Sequence, residues 1–217
     1  MTDAGVYRVL PSTRAPDEYL LLDAETADPV YVAREGYEGP LAERVAALEP
    51  GNAVRATFDW SGERPRFATV ERETETRFAF ARGVSPTFEA ALDCWREAER
   101  TGAAMNSRVT RSTDGDVNGV LYVFAEQAGE RDLFAEFEDG VTPLEPLLDR
   151  IEGADPPYEV FVLDPDDDPF VIVYVALRRD GLLARTVRET YGLDSGRGTR
   201  GTGDRGSDGC HEGDGQA

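Results

Sequence analysis

The chain of 217 residues contains no lysine: its 23 basic residues are all arginine, against 43 acids, for a formal charge of −20. That absence excludes the phosphate-binding loop that closes on Gly-Lys-Ser/Thr, and no GxGxxG follows a strand pattern. Histidine occurs once, as His211, beside Cys210 in a polar C-terminal stretch. Such a stretch supplies no packed wall around a nucleophile, so Ser-His and Cys-His dyads are excluded, and two adjacent ligands do not close a metal site. The other cysteine, Cys94, lies inside a helical pattern, so there is no disulfide framework and a reducing cytoplasm is the expected compartment. No apolar run is long enough to span a membrane, and the N-terminus lacks the basic and apolar regions of a secretory signal.

What is abundant is acid. Self-repulsion at this charge strains a compact chain in dilute buffer, whereas at 1 M salt the Debye length falls to about 3 Å and the repulsion is screened. A halophilic protein is the expected class; an acidic mesophilic protein from an Arg-rich coding background is the alternative. Most of the acidity falls in the second half of the chain.

The stretch from Tyr158 to Leu177 organises the rest. It reads as a β-hairpin whose connector carries Pro165 and Pro169, neither able to donate a ladder hydrogen bond. Its second arm, from Phe170, is apolar without alternation, which is the pattern of a strand covered on both faces. The arm Val120–Ala125 has the same character.

In chain order, residues 1–83 read as short strands over Gly5–Leu10, Glu18–Asp23, Asp28–Arg34, Asn52–Trp60, Arg64–Arg72 and Thr76–Ala81, with one helix over Leu41–Leu48. Three strands, a helix and two or three strands is the order of a small OB-like or SH3-like β-barrel. Residues 84–193 read as helix, hairpin, helix, hairpin, helix, an α-ββα-ββα lobe around a mainly antiparallel sheet, with Ser85 as N-cap and Pro86 at the first helical position. The whole is α+β. Residues 194–217 are Gly-, Asp- and Arg-rich without apolar periodicity, a composition expected to be disordered.

Three constellations carry potential chemistry. Asp114, Asp116 and Asn118, with Gly119, match the first half of a calcium loop and would take Ca²⁺ or Mg²⁺. The twelfth position is Ala125, however, with Glu126 one residue late, and Asp-Gly and Asn-Gly are strong hairpin-turn signals; the turn is the preferred reading. A second acidic loop, Asp164 to Asp168, reads as a solvated turn, although the two loops facing one another would make a shared cation site. Residues 52–82 interleave arginines with aromatics, among them Arg55, Trp60, Arg64 and Arg66, the composition of a single-stranded nucleic-acid surface on an OB-like sheet. Against it, inward-facing aromatics and Arg–acid pairs give the same pattern, and the rest of the chain repels a polyanion. Arg108, beside Asn106 and Ser107, is a further polar candidate that nothing separates from an ordinary polar strand.

The runs Trp-Arg-Glu-Ala at 95–98, Ala-Met-Asn-Ser-Arg-Val-Thr-Arg at 104–111, Asp-Leu-Phe-Ala-Glu-Phe at 132–137 and Glu-Val-Phe-Val-Leu with Pro-Phe-Val-Ile-Val-Tyr further on resemble a haloarchaeal protein family of unknown function. The resemblance implies a haloarchaeal cytoplasmic origin and carries no activity, cofactor or catalytic residue. With catalytic motifs missing, the expected role is a non-catalytic binding or interaction module. Its partner would be another protein or a second copy of the chain, with no membrane involved. A single-stranded RNA-associated protein and a metal-assisted hydrolase using Asp114 and Asp116 are the alternatives. The apolar sheet needs a cover on each face, and the first lobe is the expected cover for one of them.

Overall fold

The computed structural model describes residues 4–126 and 131–193. Ten strands and five helices follow one another as β1 (Gly5–Pro11), β2 (Glu18–Asp23), β3 (Pro29–Ala33), α1 (Gly39–Ala46), β4 (Ala53–Asp59), β5 (Arg66–Thr74), β6 (Arg77–Val84), α2 (Glu89–Thr101), β7 (Met105–Arg111), β8 (Val117–Ala125), α3 (Leu133–Glu138), α4 (Glu145–Leu148), β9 (Glu159–Pro165), β10 (Phe170–Ala176) and α5 (Leu182–Tyr191). They form two five-stranded sheets, ordered β3-β2-β1-β4-β5 and β6-β9-β10-β8-β7. Every pairing is antiparallel except that of β6 with β9. The protein is therefore α+β, with two mostly antiparallel sheets.

The apolar arm becomes β10, the middle strand of the second sheet, and all seven of its residues are buried. Period-2 alternation divides them between two cores. Val171, Val173 and Val175 pack with Leu10, Leu20 and Leu22 of the first sheet and with Phe134, Phe137, Leu144, Leu147 and Leu148 of the α3–α4 region. Phe170, Ile172, Tyr174 and Ala176 pack with Ala91 and Cys94 of α2 and Ala184 and Val187 of α5. The first lobe does cover one face, as the lack of alternation required. A third core lies on the far side of the first sheet, where Val9, Tyr19, Leu21 and Val54 meet Val45 and Leu48 around α1.

Several expectations are corrected. The first sheet is not a closed barrel: its ladder ends at β3 and β5, which approach through one backbone hydrogen bond, Ala33 N–H to Pro65 C=O (3.1 Å). The strand at Thr76–Ala81 does not belong with the first lobe. As β6 it leaves the first sheet and pairs in parallel with β9, Phe78 opposite Val160, a partner far along the chain that no local pattern reveals. Because β6 runs on to Val84, α2 begins only at Glu89, with Phe88 at the N-cap and no side-chain cap from Ser85. Helices lie on both faces of the second sheet, since α2 and α5 cover one while α3 and α4 join the core shared with the first sheet.

The crossing between sheets depends on Gly51. Its φ of +94° is a left-handed conformation, and a Cβ there would overlap the Arg77–Phe78 peptide. The close approach lets Gly51 N–H donate to Val9 C=O (2.7 Å) and Phe78 N–H donate to Pro50 C=O (2.8 Å). The Pro50–Gly51 turn thereby caps the start of the β6 edge of the second sheet, at Phe78.

Candidate interaction edge

The opposite edge, β7, has no such cap among the described residues. Its sequence, Met-Asn-Ser-Arg-Val-Thr-Arg, contains neither Pro nor Lys, and none of its seven residues is buried. Alternation assigns the faces. Met105, Ser107, Val109 and Arg111 stand opposite Phe124, Tyr122, Val120 and Val117, on the face of the core shared with the first sheet, whereas Asn106, Arg108 and Thr110 stand opposite Val123, Leu121 and Gly119 on the α2 side. The cover on the first face stops short of the edge, leaving Val109 52%, Val117 44% and Met105 37% exposed.

Backbone polarity follows from the ladder. Ala125 N–H donates to Ala104 C=O, so even-numbered β7 residues exchange hydrogen bonds with β8. Glu126 N–H to Pro169 C=O and Leu177 N–H to Asn118 C=O fix the other half of the alternation, with even-numbered β8 residues facing β10. The amides and carbonyls of Met105, Ser107 and Val109 therefore point away from the sheet, the Ser107 N–H donating locally to Asn106 Oδ1 (2.9 Å), a bond that an added strand displaces. Natural edges are blunted by charged side chains, Pro, bulges or a covering segment; this one carries two arginines and a register shift between Thr110 and Arg111, which leaves Met105–Val109 as its regular part. Arg108 lies 3.8 Å from Asp93, whose other oxygen holds Arg96 at 2.9 Å, and Arg111 donates to Gly115 C=O (2.9 Å).

The calcium-loop residues fall at the foot of this edge. Asp114 and Asp116 are exposed on the β7–β8 turn, where Ser112 N–H donates to Asp116 C=O. Asn118 is already in strand β8, its side-chain oxygen accepting from the Thr110 hydroxyl (2.9 Å). Among the described residues no group of three or more His, Cys, Asp or Glu converges as metal ligands. The two acidic turns do not face one another. Gly119 pairs with Ala176 and Ala125 with Phe170, so the β7–β8 and β9–β10 turns lie at opposite ends of the sheet.

The arginine-aromatic segment is divided by the fold. Phe58 and Phe67 are buried in the first lobe's own core, while Trp60 is 55% exposed and meets Phe58 edge-on. Arg55 pairs with Glu73 (2.6 Å), Arg64 with Asp17 (2.7 Å), and Arg66 lies over the Tyr37 ring. A shallow groove of about 240 Å³ between α1 and β5 is lined by Arg44, Arg72, Leu48 and Val70, and both arginines donate there to backbone carbonyls.

Two charge clusters lie at the ends of the second sheet. At one end Glu159, fully buried, accepts from Arg188 and from the Asp180 N–H (3.2 Å), with Arg77 at 3.9 Å. Glu49 extends this network to the first lobe through Arg77 (2.8 Å) and Arg179 (2.7 Å). At the other end Arg82 bridges Asp132 (2.7 Å) and Asp164 (3.1 Å). Burial raises the Asp164 carboxyl, aided by Asp132 and Asp166 against the pull of Arg82, and burial likewise raises Glu138. Burial also pushes up the Cys94 thiol, the opposite of a reactive cysteine. Cys210 and His211 lie outside the described residues, as does the tail expected to be disordered.

Fold and edge together define a two-sheet α+β protein whose second sheet ends on one side at the exposed strand β7. A family model described as a family of unknown function (DUF6663) matches residues 1–197, and the chain belongs to that family. The match takes in both sheets. No curated protein and no solved structure matches. Sequence reading located β7 as a strand and singled out Arg108, but passed over Met105 and Val109. The signal was available: a strand without Pro and with no buried alternate face reads as an edge.

Proposed function

We propose that the protein is a non-catalytic interaction module that binds an extended segment of a partner protein by strand addition along β7. The observation that carries this reading is the outward row of Met105, Ser107 and Val109 backbone groups beside exposed apolar side chains. Strand addition obtains affinity from such backbone hydrogen bonds and selectivity from alternate side-chain positions. The setting is a halophilic, haloarchaeal cytoplasm, supported by the charge of −20 and the absence of lysine. Amide hydrogen exchange with a panel of seven-residue β-branched peptides tests the docking mode. New protection of the Met105, Ser107 and Val109 amides is expected; protection only elsewhere, or none with any peptide, overturns it.

A second reading, binding of single-stranded RNA by an OB-like first lobe, is favoured by one observation, the exposed Trp60 in the same chain segment as half-exposed Arg55 and Arg64. The connectivity supports it: a three-strand meander, a helix, then a hairpin returning to β1. Its test is Trp60 quenching by oligonucleotide across a KCl series, and unchanged emission at every concentration removes it. The hydrolase reading through Asp114 and Asp116 has no such observation in its favour.

A further inference from the structure

Resting on strand addition at β7, we infer that the segment it accepts is acidic and apolar in a fixed register: antiparallel, with carboxylates facing Arg108 and Arg111 and β-branched side chains facing Met105 and Val109. Charge points there first. In a chain of net charge −20, residues 102–113 contain two arginines and no acid. Arg108 approaches Asp93 at 3.8 Å and acts on Glu97 through space without a hydrogen bond to either, and no carboxylate pairs with Arg111 among the described residues. Two arginines, one on each face of the edge strand of an acidic body, select an acidic ligand locally, while the remainder of the surface repels other polyanions.

The ladder then sets the order of side chains. Because Met105, Ser107 and Val109 point their backbone groups outward, they form the hydrogen-bonded pairs with an added strand, and their partners' side chains share their face. In the antiparallel sense, a partner residue opposite Ser107 is small. The residues two before and two after it meet Val109 and Met105, the residue one before it meets Arg108, and the residue four before it meets Arg111. Reading along the partner, this gives acid, polar, β-branched, acid, small, polar, β-branched. The heptapeptide Glu-Thr-Val-Glu-Thr-Thr-Val is the simplest probe with that pattern.

A second copy of the chain satisfies the rule less well. Pairing β7 with itself around Ser107 sets Met105 against Val109 of the other copy, but brings the two Arg108 side chains onto neighbouring diagonal positions, and like charges there are unfavourable. Seven residues of strand also bury well below the roughly 1,200 Å² of a stable dimer interface.

The test compares three peptides, the Glu form and its Gln and Lys replacements, by fluorescence anisotropy and by exchange of the β7 amides. The KCl concentration is the lowest at which circular dichroism is native. The Glu peptide is expected to bind about five-fold more tightly than the Gln peptide, the order of two partly exposed ion pairs. Arg108→Glu/Arg111→Glu is expected to reverse the preference in favour of the Lys peptide. Equal binding of Glu and Gln peptides with β7 protection overturns the charge register and leaves strand addition standing. No protection by any of the three overturns both. A concentration-dependent dimer in sedimentation, with the β7 amides protected in the absence of peptide, overturns the inference in favour of a second copy.

Discussion

Glu159, at the start of β9 and fully buried, is held by the guanidinium of Arg188 two elements further along the chain, on α5. Burial alone would draw the Arg188 pKa down, but the hydrogen bonds and charges of Glu159 and Asp180 outweigh it and raise it. Removing one member of such a pair leaves a charge in the interior, whereas replacing both with apolar groups removes the penalty. Arg188→Met is expected to destabilise by about 3 kcal/mol, partly offset by Arg77, and the double variant with Glu159→Leu to recover much of the loss. Urea denaturation in molar KCl measures both; equal losses for the single and double variants contradict the assignment.

Gly51 carries the turn that caps the start of β6 at Phe78. Any side chain there meets both a left-handed backbone and the Arg77–Phe78 peptide. Gly51→Ala is expected to cost about 2 kcal/mol or more and to speed amide exchange at Phe78, whose N–H donates to Pro50. A variant as stable as the parent shows that the turn does not hold the sheets together.

The carboxyls near Arg82 set a pH dependence of definite sign. Burial raises Glu138 and Asp164, so between their unfolded and folded pKa values the native state binds more protons than the unfolded chain. Their contribution is fully present below the ordinary carboxylate pKa of about 4 and is lost as pH rises through the folded value. Glu136 behaves in the opposite way: hydrogen bonding to Arg131 holds it down to about 2, and its contribution is lost only as pH falls to that value. Thermal melts of the parent and Glu138→Gln between pH 7 and pH 4 separate the terms. The parent is expected to gain more on acidification, and parallel curves contradict the burial of Glu138.

Salt is expected to stabilise. With a charge of −20, raising KCl from 0.2 to 2 M contracts the Debye length to a few ångströms and removes more repulsion than attraction. Surface pairs such as Arg64–Asp17 contribute too little to reverse the balance. A melting temperature that is flat or falls over this range contradicts a halophilic fold.

The parts of the architecture legible in the sequence were those written in local periodicity. The unbroken apolar run of β10 required two covers, and the fold supplies them with the first sheet on one side and α2 and α5 on the other. Pairing between distant segments was not legible. β6 has the same alternation whether it closes a barrel with β5 or lies parallel to β9, and only tertiary packing chooses. The same limit hid the opposite placement of the two acidic turns. At β7 the composition is local, yet the outward row of Met105, Ser107 and Val109 is fixed by the Ala125–Ala104 hydrogen bond, which no local pattern writes.

Strand addition is tested most directly by Ser107→Pro. Because the Ser107 N–H points away from β8, proline there breaks no ladder bond and loses only the local N–H to Asn106 Oδ1, while it removes the donor and the clearance an added strand needs. Melting temperature and affinity for the Glu-Thr-Val-Glu-Thr-Thr-Val peptide are measured on the same preparation. The expected result is a melting temperature close to the parent's with peptide affinity reduced at least ten-fold; unchanged affinity in a normally folded variant contradicts docking at β7.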